Sequence, residues 1–296
     1  MNLFNKIVIT GPLNTTEDLR DKLKKYAESS IASPDTHPSS EKETIERIRD
    51  ADAILVSWES QITRNVLEKL PQLKYIGICA TNMDNVDVGF AQSKGIAVTN
   101  VEHYGDEATA EFIFALLLDL VKGFGKYQWR EYPSELFGKT IGIVGMGAIG
   151  VRVLRLAKGF GMKVIYTSKT RKPDIESDDV QFMSLDDLIT NSDIVTLQVP
   201  KNTEIFTAHE FDLMKPDKIL INTCLGKVFS IDNFMNWIKK GQNYAMFDRY
   251  SSGDYYESLK DTKNVIFSKP TNGLPVETKE RLTKQVIENI DNYLQN

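Results

Sequence analysis

Residues 140–150 read TIGIVGMGAIG. An apolar run enters Gly145-Met146-Gly147-Ala148-Ile149-Gly150, and a helical pattern opens where the glycines stop. A strand that turns through G-x-G-x-x-G into a helix is the fingerprint of a dinucleotide site. The first glycine permits the tight turn, the second lets the backbone approach a pyrophosphate, and the third lets helix and strand pack closely. The free N–H groups of the helix N-terminus then face the phosphates. Six residues alone would carry little weight. Here strand, glycines, helix and the next strand, KVIYTS at 163–168, follow in order.

The end of that second strand selects the cofactor. A carboxylate there would bind the ribose hydroxyls of NAD. Ser168 stands there instead, followed by Lys169, Thr170, Arg171 and Lys172. Hydroxyl and cationic groups attract a 2′-phosphate that a carboxylate would repel. NADP is therefore the expected cofactor, with NAD as the alternative; the bland reading is a solvated basic loop.

Outward from the fingerprint, short apolar runs alternate with helical patterns. KIVIT, AILVSW, YIGICA and IAVTN form one series of buried strands, with TTEDLRDKLKKYAESS, ETIERIRDA and ITRNVLEKL as helices between them. TIGIVGMG, KVIYTS, IVTLQVP, KILINT and AMFD form a second series. This is βαβ organisation with parallel sheets. DEATAEFIFALLLDLVKGFGKYQW, between the series, reads as one long buried helix, and PVETKERLTKQVIENIDNYLQN as an amphipathic one. RKPDIESDD and SSGDYYESLKD read as surface loops.

The 296 residues suffice for two domains, and 41% hydrophobic with 26% charged residues is ordinary for a globular chain. A net charge of −5 gives no basic footprint for nucleic acid. The longest apolar stretch, FIFALLLDLV, is too short to span a bilayer, so no membrane partner is expected. Cys79 and Cys224 sit in apolar runs and suggest neither a disulfide framework nor a metal cluster. With a start, MNLFNKIVIT, that lacks signal-peptide features, they point to the cytoplasm.

At this point the chain resembles the D-isomer-specific 2-hydroxyacid dehydrogenases over nearly its whole length. CATNMDNVDV resembles their substrate loop, GIAVTNVEHYGDEATAE their first interdomain crossing, and YQWREYPSELFGKTIGIVGMGAIG their approach to the nucleotide site. SDIVTLQVPKNTEIFTAHEFDLMKPDKILINTCLGKVFSID is the most extended match. The resemblance implies two doubly wound parallel-sheet α/β domains. A Rossmann nucleotide domain, 105–271, is inserted into a flavodoxin-like substrate domain, 1–104 with 272–296. It implies a homodimer, a small-molecule substrate, and hydride transfer between a nicotinamide and C2 of a 2-oxo or 2-hydroxy acid. It places Thr223, Cys224 and Asp248 beside the cofactor, and Thr81, Asn82 and Met83 beside the substrate. Asn82 stands where the family often has glycine; asparagine tolerates left-handed geometry, so the N–H groups of Thr81 and Asn82 could still meet an anion.

The family's chemistry uses an arginine for the substrate carboxylate and carbonyl, a histidine as general acid/base, and a glutamate that orients it. In Asn222-Thr223-Cys224-Leu225-Gly226, leucine occupies the arginine position. Counting five residues beyond Asp248 puts Gly253 at the glutamate. Near FSKPTNG, matching Pro270 puts Thr271 at the histidine, and an ungapped register puts Pro270 itself there. Catalytic residues are thus unassigned. Weak candidates are His103 and Tyr104 on the crossing and Lys227 and Lys269 beside the altered positions, with Asp254 and Tyr250 behind them. Cys224 reads as a packed strand-end residue rather than a nucleophile. His37 and His209 read as surface residues in polar segments.

Two functions remain open. One is an NAD(P)H-dependent oxidoreductase that transfers hydride to a carbonyl or imine of a non-standard substrate. The other is a catalytically degenerate NAD(P)-binding sensor or dimeric interaction protein.

Overall fold

Parallel strands form where the sequence sets a short apolar run between amphipathic segments. The computed structural model describes all residues except 1, 2, 30, 32, 33, 270–272 and 296. The chain divides into two units, Met1–Gly105 with Gly273–Asn296, and Asp106–Asn272.

The first unit begins with β1 (Ile7–Ile9), α1 (Leu19–Leu23), α2 (Glu41–Ile48), β2 (Ala53–Val56), α3 (Arg64–Glu68), β3 (Tyr75–Ile78), α4 (Val88–Ser93) and β4 (Ala97–Thr99). The strands form a parallel sheet in the order β1-β2-β3-β4. β1, β2 and β3 are buried throughout, as strands covered on both faces must be. Ser40, Thr63 and Asp87 accept a backbone N–H at the starts of α2, α3 and α4, which fixes where those helices begin.

The expected sixteen-residue helix from Thr15 is cut short. α1 ends at Leu23 and a 3₁₀ turn takes Lys24–Tyr26. The carbonyl of Tyr26 and the N–H of Glu28 are taken by Phe4, which forms a parallel bridge with Ala27. That bridge stands in for the strand that a flavodoxin-like order, 2-1-3-4-5, would place beside β1.

The second unit runs α5 (Asp106–Lys122), β5 (Thr140–Val144), α6 (Ala148–Gly159), β6 (Lys163–Thr167), β7 (Val180–Phe182), α7 (Leu185–Asn191) and β8 (Ile194–Leu197). It continues with α8 (Ala208–Leu213), β9 (Ile219–Asn222), α9 (Ile231–Ile238), β10 (Tyr244–Phe247), α10 (Gly253–Leu259) and β11 (Val265–Phe267). Its sheet is parallel, ordered β11-β10-β9-β8-β5-β6-β7. The chain enters at β5, builds to one edge through β6 and β7, then crosses to β8 and builds the other way. The reversal between β5 and β8 is the switch point of a doubly wound sheet, where ligands bind beyond the carboxyl ends of the strands.

Alternation along the strands separates two cores. Ile219, Ile221, Tyr244 and Met246 join α5 and α6 on one face. Leu220, Ala245 and Phe247 join Phe211, Phe229, Phe234, Trp237 and Tyr255 on the other. Each large aromatic buried there contributes on the order of 1.5–3 kcal/mol relative to exposure. α11 (Val276–Gln295) completes the first unit, burying Leu282, Val286 and Ile290.

Two further readings change, and a third is refined. α5 stops at Lys122, because Gly123 takes φ +68°, the left-handed turn that ends a helix. SSGDYYESLKD is the helix α10 and its approach rather than a surface loop; Tyr255 and Leu259 anchor it in the core. RKPDIESDD holds a 3₁₀ turn at Pro173–Ile175 and leads into the edge strand β7. Among the described residues, no helix is long and apolar enough to cross a membrane.

Candidate functional site

The glycine run lies where β5 ends and α6 begins, and each glycine has a separate reason. Gly145 has φ +104°, and a Cβ there would run into the carbonyl of Gln198, just past the end of the neighbouring strand β8. A Cβ at Gly150 would strike the carbonyl of Gly145. At Gly147 a Cβ would meet nothing within 4 Å, so the absent side chain leaves open space before the helix. Gly147 is the N-cap of α6 and offers no side-chain acceptor, so the first N–H groups at Ala148, Ile149 and Gly150 are left for a ligand. Met146 is buried in the α5–α6 core. An open cradle of backbone donors at a switch point fits a nicotinamide dinucleotide.

At the end of β6 the basic loop is less free than its composition suggests. The Ser168 hydroxyl donates to the Thr170 carbonyl at 2.6 Å. The Arg171 guanidinium donates to both carboxylate oxygens of Glu176, Nε to Oε1 at 2.8 Å and Nη2 to Oε2 at 2.6 Å. The Tyr166 hydroxyl donates to Glu176 Oε1 at 2.9 Å and accepts the Lys172 N–H at 2.8 Å. Arg171 holds the Glu176 carboxyl down to about 2. Lys169 is exposed.

The turn after β9 is tightly specified. The Thr223 hydroxyl exchanges hydrogen bonds with the Gln198 amide at 3.1 and 3.2 Å. The Cys224 thiol donates to the Leu197 carbonyl at 3.1 Å and accepts the Val199 N–H at 3.2 Å. Burial pushes that thiol up to about 12, as suits a packing group. Gly226 has φ +71°, with Asn202 against the place of a Cβ. Asn202 Oδ1 accepts the Lys227 N–H at 3.1 Å, and its own N–H donates to the Leu225 carbonyl at 3.2 Å. The backbone is thus clamped while the Leu225 side chain stays 45% exposed. An exposed leucine at the carboxyl edge offers apolar contact and no donor.

Asp248, at the end of β10, is buried and accepts the N–H and hydroxyl of Ser251 at 3.2 and 2.8 Å. Gly253 is the first residue of α10, with open space where a Cβ would go. Thr271 and Pro270 lie outside the described residues. Lys227, Lys269, Tyr250 and Asp254 are exposed on the second unit.

His103 and Tyr104 belong to the first unit. His103 is exposed at φ +64°, 3.9 Å from Glu102. Tyr104 packs into that unit's core, and burial raises its phenol. Asn82 is not in the left-handed region. Its Oδ1 accepts the Asp84 N–H at 2.8 Å, so it shapes the loop with its side chain rather than by glycine-like freedom. Thr81 and Met83 are exposed beside it.

Two histidines read as surface residues are engaged. His37 lies 3.3 Å from Glu59 and 3.4 Å from the Ser57 hydroxyl. His209 pairs with Asp186 at 2.9 Å, which raises its pKa. Asp186, His209 and Glu210 bring possible metal-ligand atoms within 4.8 Å on the surface, yet Glu210 Oε2 already accepts the Thr207 N–H at 2.7 Å. The sequence reading missed Glu176, Asn202, Gln198 and Tyr255. They act through contacts 5 to 27 residues away in sequence, beyond any local motif.

The family model described as D-isomer specific 2-hydroxyacid dehydrogenase, NAD binding domain, matches residues 119–269. A glyoxylate reductase of Thermococcus gammatolerans is 34% identical over 269 residues, 83% of this chain and 80% of that relative. Among solved structures, an acyclic imino acid reductase in complex with NADPH and D-Arg is 30% identical, with a TM-score of 0.81 over 98% of this chain and 97% of that one. A D-lactate dehydrogenase from Aquifex aeolicus, complexed with NAD and lactic acid, is 26% identical, with a TM-score of 0.77 over 98% and 96%.

Proposed function

The chain belongs to the D-isomer-specific 2-hydroxyacid dehydrogenase family, and from that membership we propose that it reduces a C=O or C=N group on a substrate that lacks the usual 2-oxo carboxylate or presents it elsewhere. It is an NAD(P)H-dependent oxidoreductase of the 2-hydroxyacid dehydrogenase type. The observation that carries the proposal is Leu225, exposed and apolar on a clamped turn at the place of the family's arginine. Leucine cannot replace a charge-assisted, two-pronged contact with a carboxylate.

In this reading residues 105–271 are the nucleotide domain, and 1–104 with 272–296 the substrate domain. The N–H groups opening α6 hold the pyrophosphate, and the Ser168–Arg171 loop favours NADPH over NADH. Bound there, the nicotinamide supplies the hydride. Thr223 and Cys224 fix the strand end beside it through Gln198 and Leu197. Thr81, Asn82 and Met83 belong to the substrate side. The NADPH complex of the imino acid reductase supports both the imine arm and the cofactor preference. Phe124, Tyr132 and Phe137, 80%, 73% and 75% exposed on the segment joining α5 to β5, support a homodimer. Two buried free cysteines suit a reducing cytoplasm.

The test is NADPH oxidation with glyoxylate, pyruvate and hydroxypyruvate against aldehydes and ketones without a carboxylate, each alone and with an amine that converts it to an imine. Turnover of the carboxylate-free carbonyls or their imines, with slow reduction of the 2-oxo acids, is the expected result. Rapid reduction of glyoxylate alone overturns it.

A further inference from the structure

We propose that Glu176 limits how strongly this protein prefers NADPH, by holding the Arg171 guanidinium that a 2′-phosphate would otherwise engage. The proposal rests on the reading of the Ser168–Arg171 loop as the cofactor-selecting element.

Glu176 is not a casual surface neighbour. Its carboxylate takes two parallel donors from Arg171 and a third from Tyr166, whose ring is buried. The Glu176 side chain is 19% exposed against 58% for Arg171, so the acid is the fixed partner and the guanidinium its tethered one. Tyr166 also accepts the Lys172 N–H and so ties the acid to the backbone of the basic loop. The Arg171 guanidinium further lies 5.5 Å from the Phe182 ring centroid. Nε and one N–H of Nη2 are committed to Glu176, which leaves the outer edge of the fork for another anion.

The electrostatic consequence has a definite sign. A 2′-phosphate that reaches Arg171 meets a cation whose charge is already paired, and it meets a carboxylate one guanidinium away. The carboxyl is held down to about 2, so this repulsion persists at every working pH. NADH carries no phosphate at that hydroxyl and does not sense the acid. Glu176 therefore narrows the gap between the two cofactors, while Lys169 and Lys172 remain as less oriented charges on the same loop.

The variant Glu176→Gln removes the charge and keeps an amide oxygen for Arg171 and Tyr166. At low ionic strength NADPH should bind roughly 3–10-fold more tightly, as removal of a like charge a few ångströms from the phosphate implies. NADH affinity should change by less than about two-fold, and the NADPH gain should shrink in high salt. Arg171→Ala should weaken NADPH selectively, and Glu176→Gln placed on Arg171→Ala should recover only the part of the gain that comes from direct repulsion between carboxylate and phosphate, less than it gives when Arg171 is present. Fluorescence titration with both cofactors reads all four proteins. Unchanged or weaker NADPH binding by Glu176→Gln overturns the proposal, as does an equal gain for NADH or an undiminished gain without Arg171. If Arg171→Ala leaves NADPH binding untouched, the cofactor-selecting role of the loop falls as well. If Arg171→Ala acts and Glu176→Gln does not, only the role of Glu176 falls.

Discussion

The Tyr255 hydroxyl accepts the backbone N–H of Val228 at 2.7 Å. It also accepts the Phe229 N–H at 3.0 Å and stands 3.1 Å from the Phe229 carbonyl, to which it donates. One buried phenol from α10 thus terminates the segment that follows Leu225. With Asn202 clamping the other side, the altered turn is rigid by construction.

Tyr255→Phe tests that clamp. Two buried N–H groups lose their acceptor, so unfolding free energy should fall by roughly 1–3 kcal/mol per orphaned group, partly relieved where water enters. Urea unfolding at pH 7 measures it. A loss under about 0.5 kcal/mol, the scatter of ordinary surface substitutions, would show that the phenol is dispensable.

Gly147 and Gly150 should respond differently. Gly147→Arg puts a long side chain into open space, so the fold should survive while the cradle is blocked. The NADPH fluorescence change should vanish with little shift in thermal midpoint. Gly150→Ala forces a Cβ against the Gly145 carbonyl and should lower the thermal midpoint as well. Wild-type NADPH binding by Gly147→Arg contradicts the placement of the pyrophosphate.

The thiols give a pH test. Burial pushes Cys79 and Cys224 up to about 12. An unfolded thiol ionises near ~8.5. Between these values only the unfolded chain loses the proton, so stability is full below the unfolded pKa and falls as pH rises above it. The fall is about 1.4 kcal/mol per pH unit for each thiol. Urea unfolding at pH 8 and 9.5 should show it, and a Cys79→Ala/Cys224→Ala protein should be flatter over the same interval. Native protein at pH 8 should also resist aromatic disulfide reagents. Fast labelling of Cys224 would contradict its burial and reopen a nucleophilic role.

What the sequence made legible was whatever is encoded locally. The run 145–150 states its own turn, because strand, glycines and helix are adjacent in the chain. Strand periodicity did the same for β5, β6, β8, β9 and β10. Failures came where long-range contacts outvoted local pattern. α10 looks like a loop because of its serines, glycine and charges, and it is a helix because Tyr255 and Leu259 find a core supplied by α9 and β10. Arg171 looks like a free cation, and its partner sits five residues on with no motif to mark it. Leu225 could be named from resemblance, yet its exposure and the Asn202 clamp depend on a residue 23 positions earlier.

The final prediction grafts the family's chemistry back. Leu225 is 45% exposed on a fixed backbone, so Leu225→Arg should fold without strain. Gly253 opens α10 with free space around its Cβ position, and a glutamate there would also suit the positive end of the helix. Leu225→Arg alone should tighten oxalate binding, since a guanidinium pairs with a carboxylate through two hydrogen bonds. It should not raise turnover of glyoxylate, because the family's histidine has not returned with it, a deficit of typically ~10²–10⁴ in rate. Adding Gly253→Glu and Thr271→His should then produce measurable, modest 2-oxo acid reduction, limited by the placement of grafted groups. NADPH oxidation by wild type, single and triple variants measures the series. If wild type already reduces glyoxylate at the triple variant's rate or faster, other side chains do the work of the absent arginine and histidine, and the exposed leucine is not what excludes simple acids.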